Sequence, residues 1–364
     1  MRWRLRHGHE HQATAVLRPA ASPTQLPKRT PISLDAVRFN WPAGTEISFD
    51  EYRKASVLDG FMVLRDGGVV FEAYYDGFGP ESFHNWASMS KSIVGVLALR
   101  LAREGAIKLT EPVSRHVPEL ASTPFGAATV QQNLDMQVSV AYPKDLPPDL
   151  GLFAAAGLAP LRPGAPANIH DFLRAVMVGS EPHGSRFYYQ NGSTEAVAWA
   201  LERASGRALP DLIAEYVWTP MGASDNGYYL LDRQGTAFAA GGVWSTLGDL
   251  ARFGEFVRTG LNAQGDAAMA RRLLSADGAK TAPGRDLRYR DFWWHGERGP
   301  IALGRFGQRL AIVPEKGLVI AQFGAYEDER PRATTTEEAA KPKAADLRDG
   351  EAFEALALAI AERL

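Results

Sequence analysis

Ser88 and Lys91 stand three residues apart in the run Trp86-Ala87-Ser88-Met89-Ser90-Lys91-Ser92. A neutral serine hydroxyl is a weak nucleophile and needs a neighbouring proton acceptor. The residues that follow, Ile93, Val94, Val96, Leu97, Leu99 and Leu101, carry the apolar pattern of a helix that stops at Gly105. A helix beginning near Ser88 brings Lys91 onto the same face one turn later. Lysine accepts a proton once burial, or the positive end of a helix dipole, disfavours its ammonium. By itself the tetrad also fits a serine N-cap followed by a solvated lysine. Two details point the other way: Lys91 leads directly into an apolar run, and the first turn of a helix ordinarily carries acids.

Two further stretches could complete such chemistry. Phe187-Tyr188-Tyr189-Gln190-Asn191 reads as a turn before a helix that starts near Ser193. The Tyr189 phenol could shuttle a proton between nucleophile and leaving group. The Asn191 carboxamide could hold a substrate carbonyl or the lysine, and Tyr188 reads as an aromatic anchor for the loop. Gly304-Arg305-Phe306-Gly307-Gln308 falls inside a β-rich run, 301–313. Glycine inside a strand marks close approach by a ligand or another backbone. A strand edge there could offer an N–H to an oxyanion, a contact worth roughly 3–4 kcal/mol.

The elements that must position these groups are readable in outline. Residues 60–77 form a hairpin pattern around Asp66-Gly67-Gly68. Residues 105–284 are mostly helix and loop, and strands return at 289–294, 301–313 and 318–325. Residues 351–364 form an amphipathic helix. Strands from both ends predict one antiparallel five-stranded sheet flanked by helices, with a helical subdomain inserted between them. The expected division is a sheet subdomain of about 45–104 plus 285–364 and a helical subdomain of about 105–284. Residues 1–30 are expected to be a poorly ordered arm before a single hydrolase domain, 31–364, and 327–350 a solvated insertion. The stretch 141–168 is too long and too rich in Pro, Gly and Ala for a passive turn, which suggests a lid.

Composition narrows the function. The chain has 364 residues, 45% of them hydrophobic, which is ample for a large core. A net charge of −2 with mixed signs gives no nucleic-acid footprint. Absence of cysteine removes disulfides and thiolate chemistry. No apolar run is long enough to span a membrane, and no export signal is evident, so a cytoplasmic location is expected. The histidines of His7-Gly8-His9-Glu10-His11 lie in the arm, and no metal or cofactor is expected.

With these motifs in order, the chain resembles the serine β-lactamase/penicillin-binding-protein superfamily over roughly residues 55–325, in its esterase and amidase branch. Supporting stretches are Leu109-Thr110-Glu111-Pro112-Val113, residues Thr129 to Met136, and Gly241-Gly242-Val243-Trp244-Ser245-Thr246. The resemblance implies a β-lactamase-like α/β fold with Ser88 as the acylated nucleophile and Lys91 as its partner. Tyr189 and Asn191 match a Tyr-x-Asn motif. Arg305-Phe306-Gly307 falls where penicillin-recognising members carry Lys-Thr-Gly. Gln308 would then supply the second oxyanion N–H after that of Ser88. Tyr142 resembles an aromatic residue that reaches the pocket in the amide-hydrolysing branch. Trp86, Trp293 and Trp294 read first as core residues; of the three, Trp86, beside Ser88, is the best candidate to line an acyl pocket. Phe306 cannot donate the hydroxyl hydrogen bond that a β-lactam carboxylate would use, and an Arg305 fork is not a lysine point charge. The expected activity is therefore hydrolysis of a small ester or amide. The alternatives are a β-lactamase or D-amino-acid peptidase on the same fold, or a catalytically silent binding module.

Overall fold

Successive side chains of a strand point to opposite faces, so a strand buried along its length needs cover on both sides. Leu58–Arg65 is such a strand, buried at every residue but the last. The computed structural model describes residues 1–40, 46–275, 277–281, 287–326 and 350–364, and it shows that double cover. Phe61, Val63, Val313, Leu318 and Ile320 face an apolar cluster shared with helices Phe49–Ala55 and Gly350–Arg363. Met62, Leu64, Leu310, Ile312 and Val319 face a larger cluster built on helices Ser90–Arg103 and Leu247–Glu255.

The antiparallel sheet has eight strands, not the five expected. Their spatial order is Ala279–Lys280, Arg288–Arg290, Trp293–Gly296, Gly299–Gly304, Gln308–Val313, Leu318–Gly324, Leu58–Arg65 and Gly68–Tyr74. Left-handed residues explain the difference. Asp291 (φ 53°) and Phe292 (φ 62°) split the run 289–294 into two strands. Phe306 (φ 67°) splits 301–313 into a hairpin whose turn is Arg305–Gly307. A strand needs φ strongly negative, and β-propensity alone does not reveal such corners. The remaining strand, Ala279–Lys280, is a two-residue edge without an apolar pattern. The hairpin turn at Asp66 and Gly67 has the positive φ its sequence calls for.

In the middle segment the helix Asn191–Ser205 packs against Val130–Leu134, Ile169–Ala175 and the helix Ser90–Arg103. The stretch 141–168 carries a helix of its own, Pro148–Ala155. A second, four-stranded sheet orders Thr14–Leu17, Gly227–Leu230, Val243–Ser245 and His84–Asn85, and delivers the chain to Ser88. The insertion expected at 327–350 lies outside the described residues up to Gly350, where the terminal helix begins. No described helix is long and apolar enough to cross a membrane.

The arm at 1–30 is ordered, contrary to expectation. Arg2–His11 is a helix and Thr14–Leu17 pairs with Gly227–Leu230. Ion pairs hold it in place, and hydrophobic periodicity could not have announced them. Arg2 Nε and Arg6 Nη2 meet Asp59 Oδ1 at 2.9 and 2.8 Å. His84 Nε2 lies 3.2 Å from the other oxygen and stacks on Phe323. Trp244 Nε1 donates to the Leu5 carbonyl at 2.9 Å. Burial opposes ionisation of Asp59, but the hydrogen bonds and charges of His84 and Arg6 outweigh it and hold the carboxyl below its usual range. Its contribution to stability is therefore present above the ordinary carboxylate range and lost as pH falls through the depressed value. Asp59→Asn should cost about 3 kcal/mol near neutral pH. The difference from the unsubstituted chain should shrink in acid, as urea unfolding at both pH values would show.

Candidate active site

Asn85 ends its strand with a side chain that knits three segments together. Its Nδ2 donates to the carbonyls of Gly241 and Val243, both at 3.1 Å, and its Oδ1 accepts from Ala87 N–H at 2.8 Å. Ala87 is thereby held at φ 47°. For a residue with a Cβ, that conformation costs roughly 1–2 kcal/mol. Ser88 follows in a single 3₁₀ turn, Ala87–Met89, and the α-helix proper begins at Ser90. The N–H groups on either side of Ser88 are engaged, that of Ala87 by Asn85 and that of Met89 by the Trp86 carbonyl. The N–H of Ser88 has no acceptor among the described residues.

Twelve residues of the fourteen-residue helix Ser90–Arg103 are buried, Lys91 among them at 1% exposure. Lys91 Nζ donates to Ser88 Oγ at 3.0 Å and to the Ala240 carbonyl at 2.8 Å. It also lies 5.2 Å from the centroid of the Tyr189 ring. A solvated lysine after a serine cap is thus not what the chain builds. The other end of the helix face is pinned by a close approach. Ser92 Oγ donates to the Phe292 carbonyl at 3.0 Å, and a Cβ at Gly95 would sit 2.1 Å from the Asp291 carbonyl oxygen.

Tyr189 is presented by residues on either side of it. Tyr188 N–H donates to the Met136 carbonyl at 2.6 Å, and the Gln190 side chain donates to the Val138 carbonyl at 3.0 Å. The stretch Thr129 to Met136 therefore carries the tyrosine loop. The Tyr189 ring stacks on Trp294 at 5.5 Å and meets Tyr289 edge-on at 6.0 Å. Phe187 packs against both Tyr289 and Trp294. The ring that anchors the loop is thus Phe187; Tyr188, expected in that role, is exposed under Arg186. Tyr142 reaches the same segment, its hydroxyl 3.4 Å from Gln190 Oε1, and burial pushes its phenol upward. Asn191 begins its helix and its Nδ2 donates to Asp149 Oδ1 at 2.9 Å, on the helix within 141–168.

Other expected site residues lie elsewhere. Trp86 is fully buried, donates to Ser245 Oγ at 2.7 Å and packs on Phe253 and Trp218. It is a core residue, as is Trp293, which stacks on Phe253. Trp294 is the tryptophan at the site. The strand that approaches the nucleophile turn ends at Gly304, where a Cβ would lie 2.4 Å from the Trp86 carbonyl oxygen. Gly307 instead faces Gly324 and the Tyr326 ring. The Gln308 side chain is buried and donates to the carbonyls of Arg305 and Gly324. Arg305 lies over the Phe306 ring in the turn beyond the strand.

Sequence reasoning missed Asn85, Ala240 and Asp149, and ranked Trp294 behind Trp86. An Asn two residues before a strained turn is a recognisable side-chain-to-backbone signal. A backbone carbonyl as the lysine's partner has no signature at all. Among the described residues no group of His, Asp and Glu is placed to hold a metal ion, and His7 bonds Glu10 at 2.7 Å.

A serine and a buried lysine at one end of a helix, beside a large antiparallel sheet with helices on both faces, define a class. The chain belongs to the Beta-lactamase family, whose model matches residues 50–342, and it is a hydrolase of β-lactamase-like α/β fold. It is 30% identical over 334 residues to the 6-aminohexanoate-dimer hydrolase of Paenarthrobacter ureafaciens, covering 86% of this chain and 83% of that protein. A solved structure from Bacillus anthracis, described as a candidate 6-aminohexanoate-dimer hydrolase, matches with TM-score 0.85 at 28% identity. That match covers 100% of this chain and 94% of that one. EstCE1, a hydrolase with promiscuous acyltransferase activity, shares the fold alone, with TM-score 0.58 at 16% identity over 76% of this chain and 91% of its own.

Asn85→Ala would leave the Ala87 N–H and two carbonyls without their partner. The expected cost is about 1–3 kcal/mol of stability. Hydrolytic rate should fall further than the stability loss explains, because the turn before Ser88 relaxes. Thermal unfolding and steady-state kinetics of the folded variant check both.

Proposed function

We propose that the chain hydrolyses a small carboxylic ester or amide through an acyl-enzyme on Ser88. The observation that carries this reading is the buried Lys91 Nζ, 3.0 Å from Ser88 Oγ. Ser88 Oγ attacks the substrate carbonyl carbon, and its proton passes to the Lys91 and Tyr189 pair. The tetrahedral oxyanion meets the Ser88 N–H, and the second donor in this reading comes from the strand end around Gly304 and Gln308, which closes on the nucleophile turn at Gly304. The stored proton goes to the departing alcohol or amine as the acyl–oxygen or acyl–nitrogen bond breaks. Water then attacks the Ser88 ester, releasing the acid and restoring the serine hydroxyl. No cofactor enters these steps.

Two features favour small esters and amides over β-lactams. The strand residues before the turn, Ala302-Leu303-Gly304, offer no cation and no hydroxyl for a carboxylate. Phe187, Tyr189, Tyr289 and Trp294 form an aromatic wall beside the lysine, suited to an apolar acyl or leaving group. Asn191 and Asp149 tie the segment 141–168 to the same mouth, consistent with a lid.

Ser88→Ala should lower turnover of a p-nitrophenyl ester by at least about a thousandfold and abolish covalent labelling by a fluorophosphonate. Retained turnover in a folded variant would sink the mechanism. Tyr189→Phe should reduce kcat about a hundredfold or more if the phenol carries the proton; an unchanged kcat would leave Lys91 as the sole carrier. Nitrocefin turnover exceeding that of simple esters would move the assignment to a β-lactamase.

A further inference from the structure

A carboxylate buried in an apolar helix is costly unless both oxygens find donors. Glu195 lies in the helix Asn191–Ser205, one turn past Asn191, at 2% exposure and among buried alanines and Val197. Its Oε2 accepts from Ala239 N–H at 3.0 Å and its Oε1 from Ala240 N–H at 2.8 Å. The carbonyl of that same Ala240 accepts from Lys91 Nζ at 2.8 Å. One residue of backbone therefore joins the acid to the lysine. Ala239 and Ala240 lie in a turn, with no strand ladder to fix them. Tyr229 adds a single hydrogen bond to the Ala239 carbonyl at 3.3 Å.

We propose that Glu195 is a positioning residue for Lys91. Through the Ala239–Ala240 turn it fixes the carbonyl that seats the lysine against Ser88. This rests on the reading of Ser88 and Lys91 given above. The groups that face Glu195 are Lys91 from the nucleophile helix, Tyr229 from Gly227–Leu230, and Asp232 just beyond that strand. Burial pushes the Glu195 carboxyl up to about 8, against the pull of the two backbone N–H groups and Lys91, with Asp232 adding to the rise.

Two substitutions separate charge from reach. Glu195→Gln removes the charge and leaves one oxygen for two N–H donors. Glu195→Asp keeps the charge but is one methylene too short to hold the turn. The test is the rate of fluorophosphonate labelling across pH for the full chain and for Ser88→Ala, Glu195→Gln and Glu195→Asp, with thermal unfolding alongside. Glu195→Gln should label with a plateau about tenfold slower and without the limb near pH 8 that the Glu195 carboxyl itself contributes. Glu195→Asp should keep that limb while its plateau falls. A merely structural role would leave the limb in place in both. Unchanged limb and plateau in a folded Glu195→Gln protein would overturn the proposal. If that variant does not fold, an unchanged plateau in Glu195→Asp overturns it equally. Labelling of Ser88→Ala would instead overturn the assignment of the nucleophile.

Discussion

The Lys91 amine has almost no access to water, and the rest of the site is arranged around that fact. Taking such a polar group out of water is costly unless fixed hydrogen-bond partners replace the solvent. Here the partners are Ser88 Oγ on its own turn and the Ala240 carbonyl from a segment 149 residues away. The face of the Tyr189 ring adds a weaker attraction. The geometry that lets a serine hand over its proton is therefore also the geometry that makes the burial tolerable. The nucleophile helix, the turn at Ala239–Ala240 and the tyrosine loop must converge for either to hold.

The convergence is enforced by backbone corners that strands and helices avoid. Ala87, Asp291, Phe292 and Phe306 all have positive φ without being glycine. Side chains from other elements hold the first two of these corners. Asn85 grips Ala87. Gln131 and Arg272 both donate to the Asp291 carboxylate, and Asp135 accepts from the Asp291 N–H. Burial and the nearby Asp291 charge push the Asp135 carboxyl up to about 6. These corners place the Phe292 carbonyl on Ser92 and the end of strand Gly299–Gly304 on the nucleophile turn. Strain of this kind, clustered at a site and over-determined by its surroundings, is the pattern expected where position matters more than local stability.

The same corners limited what could be read in advance. The hairpin at Asp66-Gly67 was legible because glycine and a period of two announce it. The runs at 289–294 and 301–313 looked like single strands, since Asp291, Phe292 and Phe306 carry no sign of a left-handed φ. The family resemblance set the candidate oxyanion donor at Gln308; the close approach to the nucleophile turn is at Gly304. Trp86 was chosen for a pocket by its nearness to Ser88 in sequence. Adjacent residues on such a turn face different ways, and its indole went to the core.

By itself, the sequence determined what short-range periodicity controls. It set Lys91 on the Ser88 face, Tyr189 and Asn191 at the start of a helix, and apolar strands that need cover on both sides. Only the tertiary structure decided what seats the lysine, which strand end meets the serine, and that Arg2 and Arg6 tie the arm to Asp59. Those are contacts between residues far apart in the chain, made by backbone carbonyls, by charges and by a missing Cβ. None of these leaves a periodic trace, so they become visible only when the core closes and brings the partners together.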